Sequence, residues 1–84
     1  ISVGLTYEPL PASGQVVLEY RVDGGAWTNV FTETTDGAVR TEPFTRTAAG
    51  TEFTAGTEYE FRVESTGGAV VTGLKYKYQT KTTN

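Results

Sequence analysis

Apolar residues recur at every second position wherever a period can be read along this chain, and no stretch shows the 3.6-residue spacing of an amphipathic helix. Ile1, Val3, Leu5 and Tyr7 alternate with Ser2, Gly4 and Thr6, which predicts a first strand. Pro9 and Pro11 end it, because proline has no N–H for a ladder. Leu18, Tyr20 and Val22 then share one face, with Glu19 and Arg21 on the other. Asp23-Gly24-Gly25 is a tight-turn sequence and predicts a hairpin into Ala26–Thr32, where regular alternation sets Trp27 and Phe31 on one face. Asp36-Gly37 marks a further turn. From Ala38 to Ala55 the pattern is weak, with Val39, Phe44 and Phe53 as candidate anchors, a loop tip at Ala48-Ala49-Gly50, and room for one or two short strands.

The alternation returns in Tyr59, Phe61 and Val63 against Glu58, Glu60, Arg62 and Glu64, and again in Leu74, Tyr76 and Tyr78 against Lys75, Lys77 and Gln79. Ser65-Thr66-Gly67-Gly68 lies between the two runs, so a terminal antiparallel hairpin is expected. Its preferred register sets Glu60 opposite Lys75, Glu58 opposite Lys77, Tyr59 beside Tyr76, Phe61 beside Leu74 and Arg62 opposite Gly73. Six to eight short strands separated by turns describe an all-β fold: an antiparallel β-sandwich, immunoglobulin/fibronectin III-like or jelly-roll-like, with a small barrel as the competing closure. Tyr20, Trp27, Phe31, Tyr59, Phe61 and Leu74 are its expected core. The open sheet edges, or a patch including Phe44 and Phe53, are expected to be covered by another chain.

Eighty-four residues are expected to form one domain, 1–84, with a thin core and no deep cleft. A hydrophobic fraction of 37% with 12% aromatic residues and a net charge of −3 argues against disorder. Seven basic residues scattered among ten acidic ones supply no cationic stripe for nucleic acid. No apolar run approaches the roughly 20 residues that span a bilayer, and no secretion-leader pattern is visible. The start at Ile1 reads as a processed product or an excerpt of a longer polypeptide.

Histidine and cysteine are absent, which removes the commonest general base, the commonest metal ligands and both usual nucleophile–base pairs. Lys75, Lys77 and Lys81 fall on a solvated face. Glu58, Glu60 and Glu64 share a strand face and could in principle act as paired carboxylates, but a cross-strand charge ladder with Arg62, Lys75 and Lys77 accounts for them. Asp23, Glu33, Asp36 and Glu42 lie near Gly-rich turns without the close, regular spacing of a calcium loop. Trp27 is either a core residue or an exposed stacking platform, and its place on a strand favours the core. The expectation is no enzyme, no catalytic, cofactor or metal residue, and a binding surface that the residues do not specify.

Leu18–Trp27 (LEYRVDGGAW) and Gly56–Ala69 (GTEYEFRVESTGGA) resemble fibronectin type III domains. That resemblance implies a sandwich in which Tyr59 ties a strand to its preceding loop, as a tyrosine corner, with Phe61 and Val63 facing inward. The early core Trp of that family has no counterpart here. The same segments together with Thr72–Tyr78 (TGLKYKY) are similar to small β-sandwich regions of tailed-bacteriophage virion proteins. That likeness implies a structural component of the particle, phage tail or capsid-associated, located in the virion. Its partners would be other virion chains or copies of itself, with no nucleic acid, membrane or small-molecule substrate. The alternative is a carbohydrate- or protein-binding module, or a spacer, of a bacterial extracellular protein.

Overall fold

A computed structural model of the chain describes residues 2–77; Ile1, Tyr78, Gln79 and Lys81 lie outside them. Five strands are formed among the described residues: β1 (Ser2–Tyr7), β2 (Gln15–Val22), β3 (Thr28–Glu33), β4 (Tyr59–Thr66) and β5 (Val71–Lys77). They make two antiparallel sheets, β1-β5 and β3-β2-β4, packed as an all-β sandwich. The stretch from Ala38 to Ala55 adds only the isolated bridges Val3–Phe44 and Arg46–Glu52, fewer strands than the six to eight expected.

The inner faces follow from the alternation. Val3, Leu5 and Tyr7 of β1 and Val16, Leu18 and Tyr20 of β2 are all buried, joined by Leu10, Val30 and Phe44. β2 is the central strand of its sheet, so its ladder bonds are satisfied on both sides and its inner row is sealed. Asp23 (φ +50°) and Gly24 (φ +73°) both occupy the left-handed region, and Gly25 N–H donates to Val22 C=O at 2.9 Å. This is the twist-matched two-residue turn that an Asp-Gly pair favours.

The expected terminal hairpin does not form. β4 pairs with β2 and β5 pairs with β1, so consecutive strands lie in opposite sheets. Lys75 faces Gly4 and Lys77 faces Ser2 across the ladder, while Glu60 faces Arg21. Ser65 and Thr66 complete β4, and Gly67 begins the crossover to β5. Gly67 sits at φ +65°, where a Cβ would also collide with the Ser13 carbonyl oxygen. The turn therefore docks on the loop before β2 and steers the chain off the β4 sheet. Local pattern alone made the hairpin attractive; burial of the β2 row required β4 beside it.

One long side of the sandwich is closed and the other is open. On the closed side Tyr7 stacks near Phe31 (6.5 Å between ring centroids) and Phe31 packs on Phe44 at 4.7 Å. Arg40 covers both, its guanidinium 3.7 Å from the Phe44 ring centre and 5.2 Å from that of Phe31. Phe53 meets Tyr20 edge-on at 4.9 Å. Phe44 is thus in the chain's own core and Phe53 rests against it, which overturns their expected role in a patch for another chain. Val39, expected as an anchor, is 58% exposed.

Candidate interaction surface

The outer face of the β3-β2-β4 sheet carries a network of charge around Trp27. A bulge between Leu18 and Glu19 leaves Val30 as an extra residue on β3, so Leu18 pairs with Phe31 but Glu19 pairs with Asn29. The bulge inverts the alternation. Phe31 turns toward the core, and Trp27, on the other side of it, shares the outer face with Arg21 and Arg62. Trp27 is half-buried there, with guanidinium carbons 4.7 Å (Arg21) and 4.2 Å (Arg62) from its ring. The expectation that Trp27 belongs to the core is corrected by this one inserted residue.

Both arginines are also paired. Arg21 Nη2 donates to Glu60 Oε2 at 2.9 Å and Arg62 Nε donates to Glu19 Oε1 at 2.8 Å, each pair directly opposite on neighbouring strands. Glu60 and Arg62 of the charge ladder expected for β4 are therefore paired, but with β2, and among the described residues Lys75 and Lys77 take no part. Guanidiniums already lie over the indole, so the arrangement is a cation–π and ion-pair cluster rather than a vacant platform for a sugar, with the buried Arg21 Nε left without a hydrogen-bond partner among the described residues.

The acidic residues near turns do not converge; among the described residues no three acidic side chains gather as a metal site would need. Asp23 instead accepts backbone N–H bonds from Thr57 (3.2 Å to Oδ1) and Glu58 (2.8 Å), which fastens the β2–β3 turn to the approach of β4. Tyr59 Oη donates to Thr54 C=O at 2.8 Å, five residues back, the contact that the fibronectin resemblance implies for this tyrosine. Glu33 stands 3.5 Å from the Tyr7 hydroxyl, and burial, with that carboxylate beside it, raises the Tyr7 pKa above its ordinary 10.0. Two hollows of 190 and 300 Å³, beside Arg21 and Arg46, are small and wide-mouthed against an ordinary ligand pocket.

The open long side is different in kind. β5 stacks over β4, with Tyr76 and Phe61 ring centroids 5.0 Å apart, and each is the edge strand of its sheet. Leu74 and Tyr76 point inward, since they pair with the buried Leu5 and Val3, but among the described residues no strand lies beyond them. Leu74 is consequently 38% exposed and Tyr76 54%, while Tyr59 and Phe61 are only half-buried. Leu74 was expected in the core; it faces the core but stands at its unsealed margin. The alternation of β5 identifies its inner row, yet edge position depends on pairing partners that no single segment encodes.

Comparison with protein-family models, with curated proteins and with solved structures returns no match to this chain.

Proposed function

We propose that the chain is a non-enzymatic structural component of a virus particle, phage tail or capsid-associated, working through protein–protein contacts. The observation behind this is the open side of the sandwich: the exposed Leu74 and Tyr76 lie beside two strand edges that are unpaired among the described residues, where contact with another chain would cover them. The virion setting draws on the likeness of the Leu18–Trp27, Gly56–Ala69 and Thr72–Tyr78 segments to phage β-sandwich regions. Proteomic analysis of purified particles tests it. Peptides of this chain should appear at the stoichiometry of a structural protein; their presence only in the secreted fraction of a bacterial culture would overturn the virion assignment.

A spacer or binding module of a bacterial extracellular protein is the second reading. The Tyr59–Thr54 tie favours it, because the same device stiffens the ends of fibronectin-type sandwiches, which commonly serve as spacers.

A further inference from the structure

With β5 over β4, β1 falls over β2, and among the described residues no strand of the β1-β5 sheet covers β3. The segment between β3 and β4 fills that place with a single residue. Phe44 pairs antiparallel with Val3 on the second edge of β1, and its ring meets Phe31 of β3 at 4.7 Å. Two posts hold the ends of the segment. At one, Leu10 N–H donates to Ala38 C=O at 3.1 Å and Gly37 N–H donates to Leu10 C=O at 2.6 Å. At the other, Thr54 N–H donates to Tyr20 Oη at 3.0 Å and Tyr59 Oη donates to Thr54 C=O at 2.8 Å. Between the posts, among the described residues, the backbone bonds to the sheets are Val3 N–H to Phe44 C=O (3.0 Å), Phe44 N–H to Val3 C=O (2.7 Å) and Ala48 N–H to Asn29 C=O (3.1 Å). The tip is bonded to itself. Arg46 and Glu52 form a bridge, Thr47 N–H donates to Thr51 C=O at 2.8 Å, and Gly50 N–H donates to Thr47 C=O at 2.9 Å.

We infer that residues 39–53 are a hinged flap, which swings off the β1 and β3 edges as one body, pivoting at Ala38 and Thr54, while both sheets stay paired. A segment opens the more readily the fewer bonds and apolar contacts it must break. The flap has to break the Val3–Phe44 pair, the Ala48 bond and the packing of Phe44, with Phe53 next to the pivot. β2, in contrast, is paired with β3 on one side and with β4 on the other. The self-bonded tip ties the Ala48 attachment to the Phe44 attachment, so neither releases alone. Arg40 is the clasp of the closed form. Its guanidinium lies 3.7 Å from the Phe44 ring centre and 5.2 Å from that of Phe31, and its Nε donates to Glu42 C=O at 3.0 Å within the flap. It leaves with Phe44. The open form bares Phe31 and Tyr7 and frees the second edge of β1, so closure of this long side of the sandwich is conditional on the flap. The motion belongs to the isolated chain and does not depend on the virion reading.

Native-state amide hydrogen exchange of the full 84-residue chain, across low urea concentrations, is the test. The Val3, Phe44 and Ala48 amides should share one protection factor, about a hundredfold or more below that of the β2 ladder amides. Their exchange should depend little on urea, because the flap exposes little surface. Phe61→Ala, on the opposite long side, weakens the sheets and leaves the flap contacts in place. It should lower the protection of the β2 amides about tenfold or more and leave that of Val3, Phe44 and Ala48 within about twofold. If Phe61→Ala does not fold, the urea slopes of the unaltered chain separate flap opening from global unfolding by themselves. Exchange of the three amides together with the β2 amides, on the same urea slope, would overturn the flap. So would an Ala48 amide that exchanges apart from Val3 and Phe44, since that is fraying of β1 rather than one moving body.

Discussion

Single side chains set local ties whose loss is measurable. Tyr59→Phe removes one hydroxyl and its bond to the Thr54 carbonyl, and is expected to cost about 0.5–1.5 kcal/mol in urea unfolding with little change in m. Asp23→Ala removes the carboxylate that accepts the Thr57 and Glu58 N–H groups and leaves a β-carbon at φ +50°. A loss of about 1–3 kcal/mol is expected. Tyr7 gives a pH signature. Its pKa is raised in the folded state, by burial first and by Glu33 second, so above pH 10 the native chain holds more protons than the unfolded one. Its contribution is complete below that pH and is lost as pH rises through the folded value; Tyr7→Phe should remove this component from the alkaline limb of a stability–pH curve.

Elements succeed or fail by what their neighbours demand. The β3 bulge shows how one unpaired residue, Val30, reverses the exposure of everything beyond it, turning Phe31 inward and Trp27 outward. Trp27→Ala should therefore disturb the Arg21–Glu60 and Arg62–Glu19 pairs more than the core, and cost less than the roughly 3–5 kcal/mol of a buried Trp truncation. The crossover after β4 depends on Gly67. Its left-handed φ and its closeness to the Ser13 carbonyl exclude any side chain, so Gly67→Ala is expected to lower the melting temperature by several degrees or more in a domain of this size.

At the scale of the whole molecule the asymmetry between a closed and an open side governs how burial converts to stability. Leu18, fully buried on the central strand, should cost about 2–5 kcal/mol when cut to Ala. Leu74→Ala, at the open margin, should cost well under half of that in the monomer, because its side chain already meets solvent. If equilibrium denaturation gives the two truncations equal cost, the open side is sealed in solution.

Strand existence and facing were legible in the chain because a pleated strand alternates with a strict period of two. β1, β2 and the inner rows of β4 and β5 follow directly from Val3-Leu5-Tyr7, Leu18-Tyr20, Tyr59-Phe61-Val63 and Leu74-Tyr76. The Asp23-Gly24 turn was legible too, because few residues tolerate its backbone. Pairing was not legible: any two alternating strands can satisfy each other's edges, and only competition for one shared core sends β4 to β2 and β5 to β1. The fate of Trp27 depended on a bulge without a side-chain signature, and the anchoring of Phe44 on a single bridge to Val3 far away in sequence. The open strip with Leu74 and Tyr76 arose the same way. Their alternation marks them as inward, but whether anything lies beyond them depends on strand order, which the tertiary structure alone decides.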